Sequence, residues 1–407
     1  MSSSRSFHVR RTRCLAPLVA SVLLCLTTAP SSGRAELIHD PSGTALDAFR
    51  RALARTESKA AGALTRIVQI GDSHTASDFW TGALRRRLQA RYGDGGHGFV
   101  VPGRPWASYK HLDVVHWSDG RWKVRRLSTV RTAVEALGLG GVVMTTRRPM
   151  SRAWVTTTRA KSAPVGGSVS RFDVFLLFHP EGGSLRFRID DKLWSELSTH
   201  MPVPQPGFRR FDVPDGPHKL ELDVSGDGEV RVFGVVLERA GPGVVVDSVG
   251  VPGLRAEHLL LGDADVLAAH VERRQPDLLM IAYGTNEANR DGFDVASYPA
   301  VMSRVIAHAR KGAPGASCLV LAPLDRTSRT KGGGRASPPI LSEIIGVQRE
   351  AAVAAGCAFW DTRAAMGGPG SIDRWVSDGL AQPDHVHLNQ KGYARLAELL
   401  EAALTGQ

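Results

Sequence analysis

No apolar run in this 407-residue sequence reaches the roughly 18 residues that a membrane-crossing helix needs. Hydrophobic content of 43% and charged content of 22% are ordinary for a folded soluble protein, and no repetitive tract points to a fibre or solenoid. Aromatic residues are few, at 6%, and zinc-finger spacings, RNP sequences and extended Lys/Arg stripes are all missing, so nucleic acid is not an expected partner. Arg85, Arg86 and Arg87 read as the solvated face of a helix. No His-Glu-x-x-His helix occurs either, and neither a metal nor another cofactor is called for.

Cysteine is scarce, with four residues in all. Cys14 and Cys25 fall in the N-terminal stretch, which leaves Cys318 and Cys357, each opening an apolar run. Two cysteines make no disulfide framework, and buried free thiols are the expected state, with a bridge as the alternative.

Acidic residues are absent from positions 1–35. Arg5, Arg10, Arg11 and Arg13 precede an apolar run at residues 15–27, and small and polar residues follow through Ala35. That is the layout of a secretory signal, too short in its apolar part to span a bilayer. Leu24 precedes Cys25 where a lipobox needs a small residue, which argues against a lipid anchor. Removing residues 1–35 takes away five Arg and no acid, so the formal charge falls from +11 to +6. The mature protein is expected in the periplasm or outside the cell, without a stable membrane span, and its mild basic excess favours anionic polymers or surfaces.

Beyond the signal, the length points to two domains and two cores. Arg66-Ile67-Val68-Gln69-Ile70 is a buried-strand candidate, followed after Gly71-Asp72-Ser73 by a helical face of Leu84, Leu88 and Tyr92. The alternation resumes after Gly241 with apolar runs near 244, 278, 318 and 357, separated by helices near 297–311 and 340–355. A last helix is capped by Asn389 and presents Tyr393, Leu396, Leu400 and Ala403. Such a pattern builds a parallel sheet covered on both faces. Residues 112–240 instead hold short, partly alternating runs between Gly-, Pro- and Asp-rich turns, an all-β signature. The reading is a catalytic α/β domain at 36–111 and 241–407, with an inserted β domain at 112–240.

Four motifs sit at strand ends of the α/β part. Ile70-Gly71-Asp72-Ser73-His74-Thr75 puts a serine on a strand-to-helix turn, a place for a nucleophile or for a plain helix cap. A serine needs a base, and Pro383-Asp384-His385-Val386-His387-Leu388-Asn389 offers Asp-x-x-His just before the last helix, with His387 preferred to His385 on that spacing. Ala282-Tyr283-Gly284-Thr285-Asn286-Glu287 ends a strong apolar strand with an amide able to donate to an oxyanion. Val249-Gly250-Val251-Pro252-Gly253-Leu254-Arg255 ends another, where glycine can bring a backbone N–H close to substrate. Gly93, Gly95 and Gly98 match G-x-G-x-x-G but follow a helix and precede Phe99-Val100-Val101, the reverse of a dinucleotide site, and read as a helix stop. Trp117, Trp122, Trp154 and Trp194 read as core or sheet-face residues, with sugar stacking as the alternative.

The order and spacing of these blocks resemble the SGNH (GDSL-like) serine hydrolases. The resemblance implies a three-layer, flavodoxin-like α/β/α domain with a jelly-roll-like insertion, and a triad of Ser73, His387 and Asp384. It implies an oxyanion hole from the N–H groups of Ser73 and Gly253 and the side chain of Asn286. His74 replaces the family's usual leucine and Glu287 its usual Asp. With the Asp94-Gly95-Gly96-His97-Gly98-Phe99 run, these variants look like bacterial peptidoglycan O-acetylesterases. The implied function is removal of O-acetyl groups from a cell-wall glycan through an acyl-serine. A lipase or esterase of another acyl substrate, an acetyltransferase, and a non-catalytic glycan-binding surface protein are the alternatives.

Overall fold

The computed structural model describes residues 38–131, 136–160 and 163–406. Residues 1–35, read above as an export signal, lie outside the described residues. The buried apolar runs form a six-stranded sheet in the order Ile38–His39, Ala358–Trp360, Ser317–Leu321, Leu278–Ala282, Leu64–Gly71, Gly243–Gly250. Neighbours are parallel except the short first strand, which runs antiparallel to Ala358–Trp360. A parallel strand is covered on both faces, so its sequence is apolar throughout, and Leu278, Leu279, Met280 and Ile281 are all fully buried. The two faces feed different apolar clusters: Val68 and Ile70 belong to one, Ile67 to the other.

Register makes three strand ends level. Gly71 stands opposite Gly250 on one side and Ala282 on the other. The segments carrying Ser73, Gly253 and Asn286 therefore leave the sheet from one edge, the edge at which open α/β sheets place their ligands. Gly250 is needed there, because a Cβ on it would lie 2.5 Å from Ala76 N and 2.6 Å from Asp72 O, inside the serine turn.

Leu84, Leu88 and Tyr92 do line the buried side of helix Phe79–Tyr92. Arg85, read as solvated, is buried on that helix, its guanidinium donating to both oxygens of Asp78 at 3.1 and 2.7 Å. A paired, hydrogen-bonded charge can be buried, and Asp78 supplies the pairing from a loop the helix pattern does not reveal. The last helix, Gln390–Thr405, is capped by Asn389, whose side chain accepts from Lys391 N and Gly392 N.

Most of the region between the first two long parallel strands forms two antiparallel sheets. One has the order Lys192–Ser198, Ser184–Ile189, Lys219–Val224, Arg152–Thr157, Val114–Ser118. The other runs Gln205–Gly216, Val169–Phe178, Val230–Glu238, Val142–Thr146, Lys123–Arg126, with Gly98–Val100 also paired to Val230–Glu238. The sheets pack face to face, Phe187 of one against Phe211 of the other at 5.0 Å. Their apolar cluster continues into one face of the parallel sheet, so the two cores divide at that sheet rather than between the α/β and β segments.

Cys318 and Cys357 are bridged, which corrects the expectation of free thiols. The cause is register. Leu319 pairs with Ala358, so the preceding residues, Cys318 and Cys357, face each other with Cα atoms 4.7 Å apart. Among the described residues, no helix is long and apolar enough to cross a membrane.

Candidate active site

Ser73 opens the four-residue helix Ser73–Ala76, capped by Asp72, whose carboxylate accepts from His74 N at 3.0 Å. The serine hydroxyl lies 3.0 Å from His387 Nε2, and His387 Nδ1 lies 2.7 Å from Asp384 Oδ2. Asp384 Oδ1 accepts from the backbone N–H groups of Val386 and His387, both at 3.0 Å. Burial opposes the charge on Asp384. The hydrogen bonds from the His387 ring and from the two backbone N–H groups outweigh it and hold the carboxyl below its ordinary range. An ionised Asp384 fixes the proton of His387 on Nδ1 and leaves Nε2 free to accept from the serine.

The other predicted residues border this row. Gly253 has φ +78°, a left-handed conformation suited to glycine, with open space where a side chain would be. Asn286 donates through Nδ2 to Leu254 O at 2.8 Å and makes a long contact of 3.4 Å with Asp72 Oδ2. One amide proton is thus fixed by the Gly253 turn. The other faces the serine turn through a weak contact that an incoming oxyanion can replace.

Several groups make contacts around the site that the sequence reading did not foresee. Glu287 accepts from Ala256 N at 2.7 Å and Gly284 N at 3.1 Å, tying the Gly253 turn to the Asn286 turn. Burial raises its pKa to about 7, and burial likewise raises Asp72 to about 7. His74 is buried, its Nδ1 2.8 Å from Tyr393 Oη and its ring 5.2 Å from that of His387. Burial lowers its pKa to about 3, so it stays neutral beside a base that must take up a proton. Arg326 donates to Thr285 O and Asn289 Oδ1, bracing the Asn286 turn from outside. His385, the competitor for the base, has its Nδ1 2.6 Å from Asp373 Oδ1 and belongs to a separate pair.

Asp78, His97 and His111 bring three potential ligand atoms within 4.8 Å, a grouping their sequence spacing does not reveal. Both oxygens of Asp78 are already taken by Arg85, and one also by Leu112 N. The guanidinium fills the place a cation would need.

Residues 216–395 match the model of the GDSL-like lipase/acylhydrolase family. A solved structure described as a peptidoglycan O-acetylesterase in action superposes with TM-score 0.74 at 26% identity, covering 91% of this chain and 98% of that one. The chain thus carries both the sequence and the structural likeness of the SGNH/GDSL esterase family. It is a carboxylic ester hydrolase with that family's α/β fold. The segment matched by the family model begins after Ser73. The Bacillus subtilis protein YxiM aligns at 14% identity and TM-score 0.34, covering 70% of this chain and 88% of that one. A family two carbohydrate esterase from Cellvibrio japonicus aligns at 13% and 0.29, covering 72% and 98%. No curated protein matches the sequence.

Proposed function

We propose that this SGNH esterase is exported and removes O-acetyl groups from a cell-wall glycan, peptidoglycan, with Ser73 as nucleophile. The observation that carries the reading is the hydrogen-bonded row Ser73, His387, Asp384 at the level edge of three parallel strands. His387 Nε2 takes the hydroxyl proton as Ser73 Oγ attacks the acetyl carbonyl. The carbonyl oxygen becomes an oxyanion, held by the N–H groups of Ser73 and Gly253 and by the Asn286 amide. Collapse breaks the bond to the sugar oxygen, which leaves with the proton from His387. Water, deprotonated by the same imidazole, then attacks the acetyl-serine, releasing acetate and restoring the hydroxyl.

Likeness to a structure described as a peptidoglycan O-acetylesterase supports the substrate. The basic then apolar stretch at residues 1–35 supports export to the periplasm or beyond, as does a disulfide between two sheet strands, a bond that persists in oxidising compartments. In this reading residues 36–111 and 241–407 form the catalytic domain. Residues 112–240 form an inserted, jelly-roll-like domain that helps hold the polymer. The test is acetate release from O-acetylated peptidoglycan, compared with acetylated xylan and a longer-chain ester. Preference for the first supports the reading, and preference for the long-chain ester replaces it with a lipase.

A further inference from the structure

The strand Val114–Ser118 lies at the edge of the five-stranded sheet, with Arg152–Thr157 as its one neighbour in that sheet. In their register Trp117 stands opposite Trp154, and the two rings stack with centroids 6.1 Å apart and planes 23° from parallel. Trp117 is 45% exposed, as is Val115, which shares its face by the two-residue period of a strand. Trp154 is half-buried, and an indole left facing solvent as that of Trp117 is makes an unusual use of large apolar surface.

Beside this strand lies a cavity of about 630 Å³, a volume within the range of small-ligand sites. Arg104, Tyr109, Lys110, His116 and Trp117 are among its lining residues. His116 Nδ1 is buried there without a hydrogen-bond partner. Neither Arg104 nor Lys110 has a carboxylate partner among the described residues. The wall therefore combines an aromatic face and two cations without carboxylate partners.

A file of rings joins the cavity to the ester site. Lys110 Nζ lies 5.5 Å from the centre of Phe79, whose ring stacks on Tyr393 at 6.4 Å. Tyr393 holds His74, and the His74 ring is 5.2 Å from that of His387.

We propose that the cavity and the Trp117–Trp154 pair form a saccharide subsite for an anionic stretch of the polymer whose ester meets Ser73. Sugar rings lie on the exposed indole of Trp117, and carboxylates of the same strand meet Lys110 and Arg104. The indole removes the apolar face of a sugar ring from water, and the guanidinium fork of Arg104 matches a carboxylate. This proposal rests on the esterase reading above.

The test uses the full mature chain. Trp117→Ala should lower the ratio of kcat/KM on O-acetylated peptidoglycan to that on a small aryl acetate by about tenfold or more, the scale of a lost tryptophan anchor. Trp117→Phe should recover most of it. Arg104→Ala with Lys110→Ala should lower the same ratio and flatten its decline with added salt, and should leave the ratio for neutral acetylated xylan much less affected. Ser73→Ala protein should sediment with insoluble peptidoglycan and lose that retention when Trp117→Ala is added. Should the wild-type chain release no acetate, the esterase reading fails while this sedimentation arm still decides the subsite. A Trp117→Ala protein with unchanged ratio and unchanged sedimentation overturns the subsite. Equal losses on xylan and peptidoglycan from the paired cation variant overturn its preference for an anionic strand.

Discussion

A serine hydroxyl is a nucleophile only while a base can take its proton, and the 3.0 Å contact with His387 Nε2 puts Ser73 in that position. His387→Ala should therefore cost on the order of 10,000-fold in turnover. Asn286→Ala should cost roughly 100- to 1,000-fold, because it removes one donor to the developing charge and leaves the base intact. Steady-state kinetics on an aryl acetate measures both, and equal small losses would place the chemistry elsewhere. Ser73, Asp384, His387, Gly253 and Asn286 could be singled out as candidates because each stands in a short block at a strand or helix boundary, where local spacing carries the signal. Tyr393, Arg326 and the Asp373–His385 pair were not. Tyr393 reads as one apolar position on a helix face, and nothing local shows that its hydroxyl reaches His74, 319 residues away. Arg85 failed for the same reason, its partner Asp78 standing on a loop before the helix.

At the scale of elements, continuous apolar runs identified the long parallel strands, since a strand buried on both faces leaves few alternatives. The helices near 297–311 and 340–355 formed as Tyr298–Arg310 and Pro339–Ala354. Pairing order was not readable. The run of Gly98–Val100 reads as part of the α/β segment, yet it pairs antiparallel with Val230–Glu238. The disulfide belongs to the same class, because nothing local states that the runs near 318 and 357 are sheet neighbours. The bridge closes a loop across a sequence separation of 39 residues, and loop-closure entropy assigns it about 4 kcal/mol, an upper value if the reduced chain keeps structure. Reductant should lower the urea midpoint of the wild-type protein and leave that of a Cys318→Ser, Cys357→Ser protein unmoved. An unmoved midpoint in the wild type would mean that the bridge adds nothing.

The molecule as a whole carries many neutral histidines in its interior. Burial lowers the pKa of His74, His111 and His270 to about 3 and of His116 to about 4, and lowers His97 well below its ordinary value. Below pH about 6.5 the unfolded chain takes up these protons and the native chain does not, so their contribution is present above that pH and is lost on acidification. Asp72 and Glu287, raised to about 7 by burial, act in the opposite sense. Their native pKa values exceed the unfolded ones, so their contribution is present below about pH 4 and is lost as pH rises through 7. Five histidines outweigh two acids between those limits. The urea midpoint should fall from pH 7.5 to pH 5, and a midpoint that rises would show that the buried histidines take up protons in the native state. The α/β and β character of the segments was legible in their periodicities, whereas the apolar cluster shared between them follows from long-range packing.

The acyl-serine is the centre of the account, and mass spectrometry of the acid-quenched protein during turnover of an aryl acetate tests it most directly. Acetyl should appear on the peptide containing Ser73, within the dead time of mixing, and be absent from Ser73→Ala protein, which should also release no acetate above background. Sustained acetate release without acetyl on that peptide, together with near-native activity of Ser73→Ala, would contradict it.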